Sequence, residues 1–137
     1  MFTTNTIADA HRNGVYMTEV TKVLLLLKNM VYESTSPMET LRFANYYCGK
    51  GLDVVVIIFG PMGVILGKAE KCGSPAYDDK IRGCMEQGVQ FKCCKLGASI
   101  IGMKEEELIP GIELIESHEI AEMLLEYCSE GQLIVTL

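Results

Sequence analysis

Strand-length apolar runs alternating with helical segments predict an α/β fold: three layers, α/β/α, around a mostly parallel five-stranded sheet. Two observations carry this. The runs "VTKVLLLLK" (20–28) and "LDVVVIIF" (52–59) are apolar nearly throughout instead of alternating, as in parallel strands covered on both faces. Each is followed by Ser, Gly or Pro punctuation and then a helical stretch.

After the first strand, "ESTSPMETLRFANYYCGKG" carries a helix start: Ser36 as cap, Pro37 at the first helical position, and Glu39 closing a Ser-x-x-Glu box. Met38, Leu41, Ala44, Tyr47 and Cys48 recur at helical spacing, and Gly49 or Gly51 ends the helix. Gly60-Pro61 breaks the second strand, and "MGVILGKAEKC" is expected to form a short helix. The segment 74–88 repeats the Ser-Pro start, with Tyr77, Ile81, Cys84 and Met85 on its apolar face. A strand at 89–93, "VQFKC", leads into a short helix through "LGASIIGM". A weak strand at 112–116, an amphipathic helix at 117–131 and a closing strand at 132–137 complete the domain. In that last helix Ile120, Met123, Leu124 and Tyr127 face inward. Residues 20–137 thus read as one domain, and 1–19 as an N-terminal arm outside it.

Composition narrows what such a domain does. The chain has 137 residues, 49% of them hydrophobic, which supports one packed core. A net charge of −6 without a Lys/Arg cluster argues against nucleic acid or an anionic membrane as partner. The longest apolar stretch, "VVVIIFGPMGVILG", falls short of the roughly 18 residues of a spanning helix and carries Gly-Pro near its middle. The opening residues lack the basic region and apolar run of a signal peptide, so the six cysteines read as reduced thiols of a cytoplasmic protein. No Walker loop, Gly-x-Gly-x-x-Gly or Gly-x-Ser-x-Gly motif occurs, and no cofactor is expected. The cysteines form no Cys-x-x-Cys pair, and neither His11 nor His118 stands near one in sequence, so no metal site is expected. His118 and the run Glu105-Glu106-Glu107 read as solvated residues.

In open α/β sheets ligands bind outside the carboxyl ends of the strands. Three loops leave such ends: "NMVYESTS", "GPMG" and "CCKLG". They define an expected rim of Ser34, Ser36, Gly60, Met62, Gly63 and Gly97, with Cys94 on it at the opening of a helix. A helix N-terminus favours thiolate over thiol, and Lys95 next door acts the same way if its ammonium lies close. Buried cysteine is equally a common small hydrophobe, the reading preferred for Cys48, Cys72, Cys84, Cys93 and Cys128. Position alone leaves both readings of Cys94 open. Cys93, one residue earlier on the strand, points to the other face and into the core, with a role as a second thiol as the alternative.

The stretch Gly88-Val89, Cys94, Gly102, Glu106-Glu107-Leu108 and Pro110-Gly111-Ile112-Glu113 resembles the signature half of the DsrE/DsrF-like family. "SPMETLRFANYYCGKGLDVVVIIFGPMGVIL" is similar, more loosely, to the family's first half. The resemblance covers roughly residues 20–137. It implies a three-layer α/β domain that assembles as a trimer or hexamer. It also implies a sulfur relay of the TusD/DsrE type. Cys94 would take sulfane sulfur as a persulfide from a donor protein and pass it to an acceptor protein. Family members lacking the cysteine are non-catalytic partners, so a non-catalytic subunit or small-ligand binding module is the alternative. Two departures stand out: Lys95-Leu96 replace the small or hydroxyl residues that often follow the family cysteine, and Cys93 adds a thiol.

Overall fold

The computed structural model describes residues 19–32, 34–71 and 75–137; the expected arm falls outside these residues except for Glu19. Continuous apolar runs have become central strands. In β1 (Lys22–Leu27) and β2 (Asp53–Ile58) the last five residues are all buried, so both faces of each strand are covered. They pair in parallel with Leu24 opposite Val55. β3 (Gln90–Cys94), β4 (Glu113–Ile115) and β5 (Leu133–Thr136) complete a five-stranded sheet in the order β4-β3-β2-β1-β5. Every pairing is parallel, where the sequence predicts a mostly parallel sheet.

That order fixes where the helices go. Each step from β1 to β4 moves one strand in the same direction, and the last connection returns across the sheet to β5. Parallel crossovers are right-handed, so helices on forward steps share one face and the helix on the return step takes the other. Accordingly α1 (Ser36–Gly49), after β1, packs against a helix after β2, Pro75–Glu86. Between β2 and that helix the chain also makes a single turn, α2 (Gly60–Gly63), and a 3-10 turn, Val64–Gly67. The Pro75–Glu86 helix is therefore α3, followed by α4 (Lys95–Ile100) and α5 (Ser117–Ser129). The core is one cluster on both faces of the sheet, with Leu24, Leu25, Leu27, Ile57, Ile58 and Phe91 fully enclosed.

Two local expectations are corrected. Ser36 is the first helical residue of α1 and Thr35 the residue before it, so the Ser36–Glu39 box does not form. Instead the Ser36 N–H donates to Ser34 Oγ at 3.0 Å, and the Glu39 N–H to the Thr35 carbonyl at 2.9 Å. Pro37 lacks an N–H and is tolerated throughout the first turn, where no intrahelical partner exists anyway. The helix expected after Gly60-Pro61 starts earlier, at Gly60, and stops at Gly67. Beyond it Lys68 bridges to Leu108 in an antiparallel contact, which holds the chain extended.

A buried ion pair closes the loop into α3. Lys71 Nζ donates to the carbonyls of Leu66 and Lys68, at 2.8 and 2.9 Å, and to Asp78 Oδ1. Asp78 Oδ2 accepts from the Glu70 N–H at 2.8 Å. Burial pulls the Lys71 ammonium below the ordinary lysine range despite this partner. Burial pushes Asp78 up, but the hydrogen bonds from Lys71 and Glu70 outweigh it and leave the carboxyl below its ordinary range. No helix among the described residues is long and apolar enough to cross a membrane.

Candidate functional site

Cys94 is the last residue of β3 and the residue immediately before α4, with φ −64 and ψ 118. Extended backbone sends successive side chains to opposite faces, so Cys93 and Cys94 part company. Cys93 is 0% exposed, opposite Ile58 on β2 and Leu114 on β4. Burial, with the neighbouring Cys94 thiol adding to it, pushes the Cys93 thiol up to about 12. Cys94 is more enclosed than an accessible rim residue, at 5% exposed, because α4 and α5 fold over it.

Glycines bring the loops together. A Cβ on Gly97 in α4 would lie 2.8 Å from the Gly60 carbonyl oxygen, so α4 and α2 meet backbone to backbone. A Cβ on Gly63 would lie 2.6 Å from the Leu27 carbonyl oxygen, which seats α2 on the end of β1. Gly60 has φ +77, a left-handed conformation that side chains disfavour, and this lets the strand end turn directly into α2. Cys94 then lies in a groove of about 370 Å³. Phe59, Gly60 and Pro61 form one side, Leu96, Gly97 and Ile100 of α4 another, and Ser117, Ile120, Ala121 and Leu124 of α5 the third. Ser117 is the one polar side chain besides the thiol among these lining residues, and none of them is charged.

A model of the DsrE/DsrF-like family matches residues 21–129, which includes every strand except β5 and the whole groove. The chain belongs to this family. Among relatives, MK0008 of Methanopyrus kandleri is 27% identical over 106 residues, covering 76% of this chain and 87% of its own. MJ0989 of Methanocaldococcus jannaschii is 27% identical over 117 residues, covering 84% and 98%. Among solved structures, the ychN protein of E. coli superposes with a TM-score of 0.73 at 23% identity, over 86% of this chain and 100% of that one. MTH1491 of Methanobacterium thermoautotrophicum superposes with a TM-score of 0.68 at 16% identity, over 85% and 98%. At these identities the two structures share the fold.

In this DsrE/DsrF-like chain the expected rim divides. Cys94, Gly60 and Gly97 line the groove. Gly63 is the buried last residue of α2, and Met62, 41% exposed, is not part of the lining. Ser34 and Ser36 organise the start of α1 instead: Ser34 Oγ accepts the Ser36 N–H, and Ser36 Oγ lies 3.4 Å from Asn29 Nδ2. The Lys95 ammonium pairs with a carboxylate, Nζ lying 3.0 Å from Glu116 Oε1. The α5 wall was not anticipated. The periodicity of 117–131 identifies an inward face, but which loop that face meets depends on the direction of the return crossover.

The other described cysteines are free. Cys84 is buried, and burial, with the nearby Cys48 adding to it, raises its thiol. Cys48 is half-buried, with Sγ 3.3 Å from the Gln87 carbonyl. Cys128, expected in the core, is exposed: it lies one helical turn on from Leu125, itself 66% exposed. Cys72 lies outside the described residues. His118 is exposed in the first turn of α5, and Glu105–Glu107 form a 3-10 turn in which Glu107 Oε1 accepts the Lys104 N–H at 3.0 Å.

Proposed function

We propose that this chain is a sulfur carrier in the cytoplasm, with Cys94 as the acceptor. The observation that carries the reading is a nucleophilic side chain enclosed by an apolar groove where three strand-end segments converge. The Cys94 thiolate attacks the outer sulfur of a donor persulfide, R–S–S–H. A new S–S bond forms on Cys94, the donor S–S bond breaks, and its electron pair leaves with R–S⁻. The proton stays on the transferred sulfur, giving Cys94–S–S–H. A thiolate of an acceptor protein then takes that outer sulfur by the same exchange. No organic cofactor is required.

The geometry suits a carrier better than an open thiol does. Persulfides oxidise and exchange with any accessible thiol, and the enclosing helices restrict that loss. Cys94 is the N-cap residue of α4, where the partial positive charge of a helix start favours thiolate over thiol, although its side chain makes no cap hydrogen bond to the first-turn N–H groups. Cys93, protonated and sealed beneath the sheet, takes no part in the transfer.

A second reading, a binding module without catalysis, is favoured by one observation: the ammonium nearest in sequence to Cys94 is engaged by Glu116. The two readings separate on loading. Protein treated with polysulfide, then with an alkylating tag that retains persulfide sulfur, is expected to carry tagged persulfide in the wild type and in Cys93→Ala. Cys94→Ser is expected to carry almost none. Loading unchanged in a folded Cys94→Ser variant would put the sulfur on another cysteine and remove Cys94 as the acceptor, and a wild type that carries no tagged persulfide would leave only the binding module.

A further inference from the structure

We propose that the groove over Cys94 selects the donor by charge: the part of the donor that enters it is uncharged and apolar, and anionic sulfur compounds such as thiosulfate are rejected. The inference rests on the sulfur-carrier reading and names the substrate class that the same site takes. Leu96, Ile100, Ile120 and Leu124 line most of the walls, and Ser117 supplies one hydroxyl. An anion entering this space gives up its hydration, and among the described lining residues it meets no cation to replace it.

The neighbouring charges do not change this. Lys95 and Glu116 neutralise each other at 3.0 Å, and both are about half exposed. Lys28 approaches Gly60 from the end of β1 but does not line the groove. The protein as a whole carries a net charge of −6, which repels anions at longer range. Apolar donors gain instead, since burying apolar surface is worth roughly 25 cal/mol per Å². Leu124, in the α5 wall of the groove, is accordingly a specificity-determining residue.

The test uses two alkylating reagents of nearly the same size, neutral iodoacetamide and anionic iodoacetate, on the folded chain of 137 residues. Labelling of Cys94 is followed over time by peptide mass mapping, with N-acetylcysteine amide as the reference thiol. Both series are run in about 1 M NaCl, where the screening length falls to about 3 Å and long-range repulsion is suppressed. The ratio of iodoacetamide to iodoacetate rates at Cys94 is expected to exceed that of the reference about tenfold, a difference of about 1.4 kcal/mol. Leu124→Lys, which puts a cation into the wall, is expected to bring the ratio back toward the reference, and Leu124→Met to leave it high. A Cys94 ratio equal to the reference, or no labelling of native Cys94 by either reagent, overturns the proposal. None of these readouts needs sulfur transfer, so a protein that fails to load persulfide yet shows the charge discrimination loses the carrier reading and keeps the groove's selectivity.

Discussion

At the scale of single residues, the pleat of a strand sends two adjacent buried cysteines to opposite faces, and only Cys94 lines the groove. Cys93 is sealed between Ile58 and Leu114, and its thiol is held at about 12. A thiol whose folded value lies above its unfolded one stabilises the protein fully below the unfolded value of about 8.5 and loses that contribution as pH rises toward the folded value. The fall in stability between pH 7.5 and 10.5 should therefore be steeper in the wild type than in Cys93→Ala, as read from denaturant melts at each pH. Parallel slopes would contradict the burial of this thiol. Asp78 gives the opposite sign at the acid end. Its carboxyl is held low, so its contribution is present above the ordinary carboxylate value of about 3.9 and is lost as pH falls through its folded value. Asp78→Asn leaves the Lys71 ammonium buried without its counter-charge and should cost about 3–5 kcal/mol at pH 7. The gap to wild type should narrow below about pH 3.9. A gap that is constant with pH would remove the ion pair from the account.

At the scale of elements, the site depends on how closely α2 and α4 approach. Gly97→Ala drives a methyl group into the Gly60 carbonyl, which a backbone contact of 2.8 Å cannot admit without movement. Overpacking of this kind costs about 1–3 kcal/mol. Because α4 forms one side of the groove, the variant should also alkylate faster at Cys94, and unchanged labelling would show that α4 does not control access. Much of this architecture was legible beforehand. "VTKVLLLLK" and "LDVVVIIF" were readable as covered parallel strands, because such runs have no solvated face, and Cys94 was readable as the residue at a strand-to-helix switch. What resisted reading were the relations between elements. Helical periodicity shows that Ile120 and Leu124 face inward, but only the strand order places them beside Cys94. Adjacency in sequence suggested that Lys95 would serve the thiol, and a carboxylate more than twenty residues along the chain holds it instead. Cys128 failed for a related reason: its spacing from Leu124 and Tyr127 looked internal, but α5 covers the sheet only along a narrow stripe, and Leu125 and Cys128 lie beyond it.

At the scale of the whole molecule, the wholly parallel sheet keeps its helices on both faces and collects the strand ends on one rim, where Cys94 lies. Outside the groove, Tyr46 on α1 is 63% exposed and Leu125 on α5 is 66% exposed. Apolar side chains at this exposure favour association, and the reading of this chain as a homo-oligomer, a trimer or hexamer, expects them to be covered by other copies. Sedimentation velocity at micromolar concentration should show one species several times the 15.2 kDa of the chain, and a clean monomer would contradict it. The central claim is narrower: sulfur is carried on Cys94. It is tested most directly by giving the wild-type protein one equivalent of a persulfide donor and mapping where the added sulfur resides. One extra sulfur atom is expected on the peptide carrying Cys94, released when an acceptor thiol is added. Sulfur found on Cys48 or Cys128, or spread without preference over the cysteines, would contradict it.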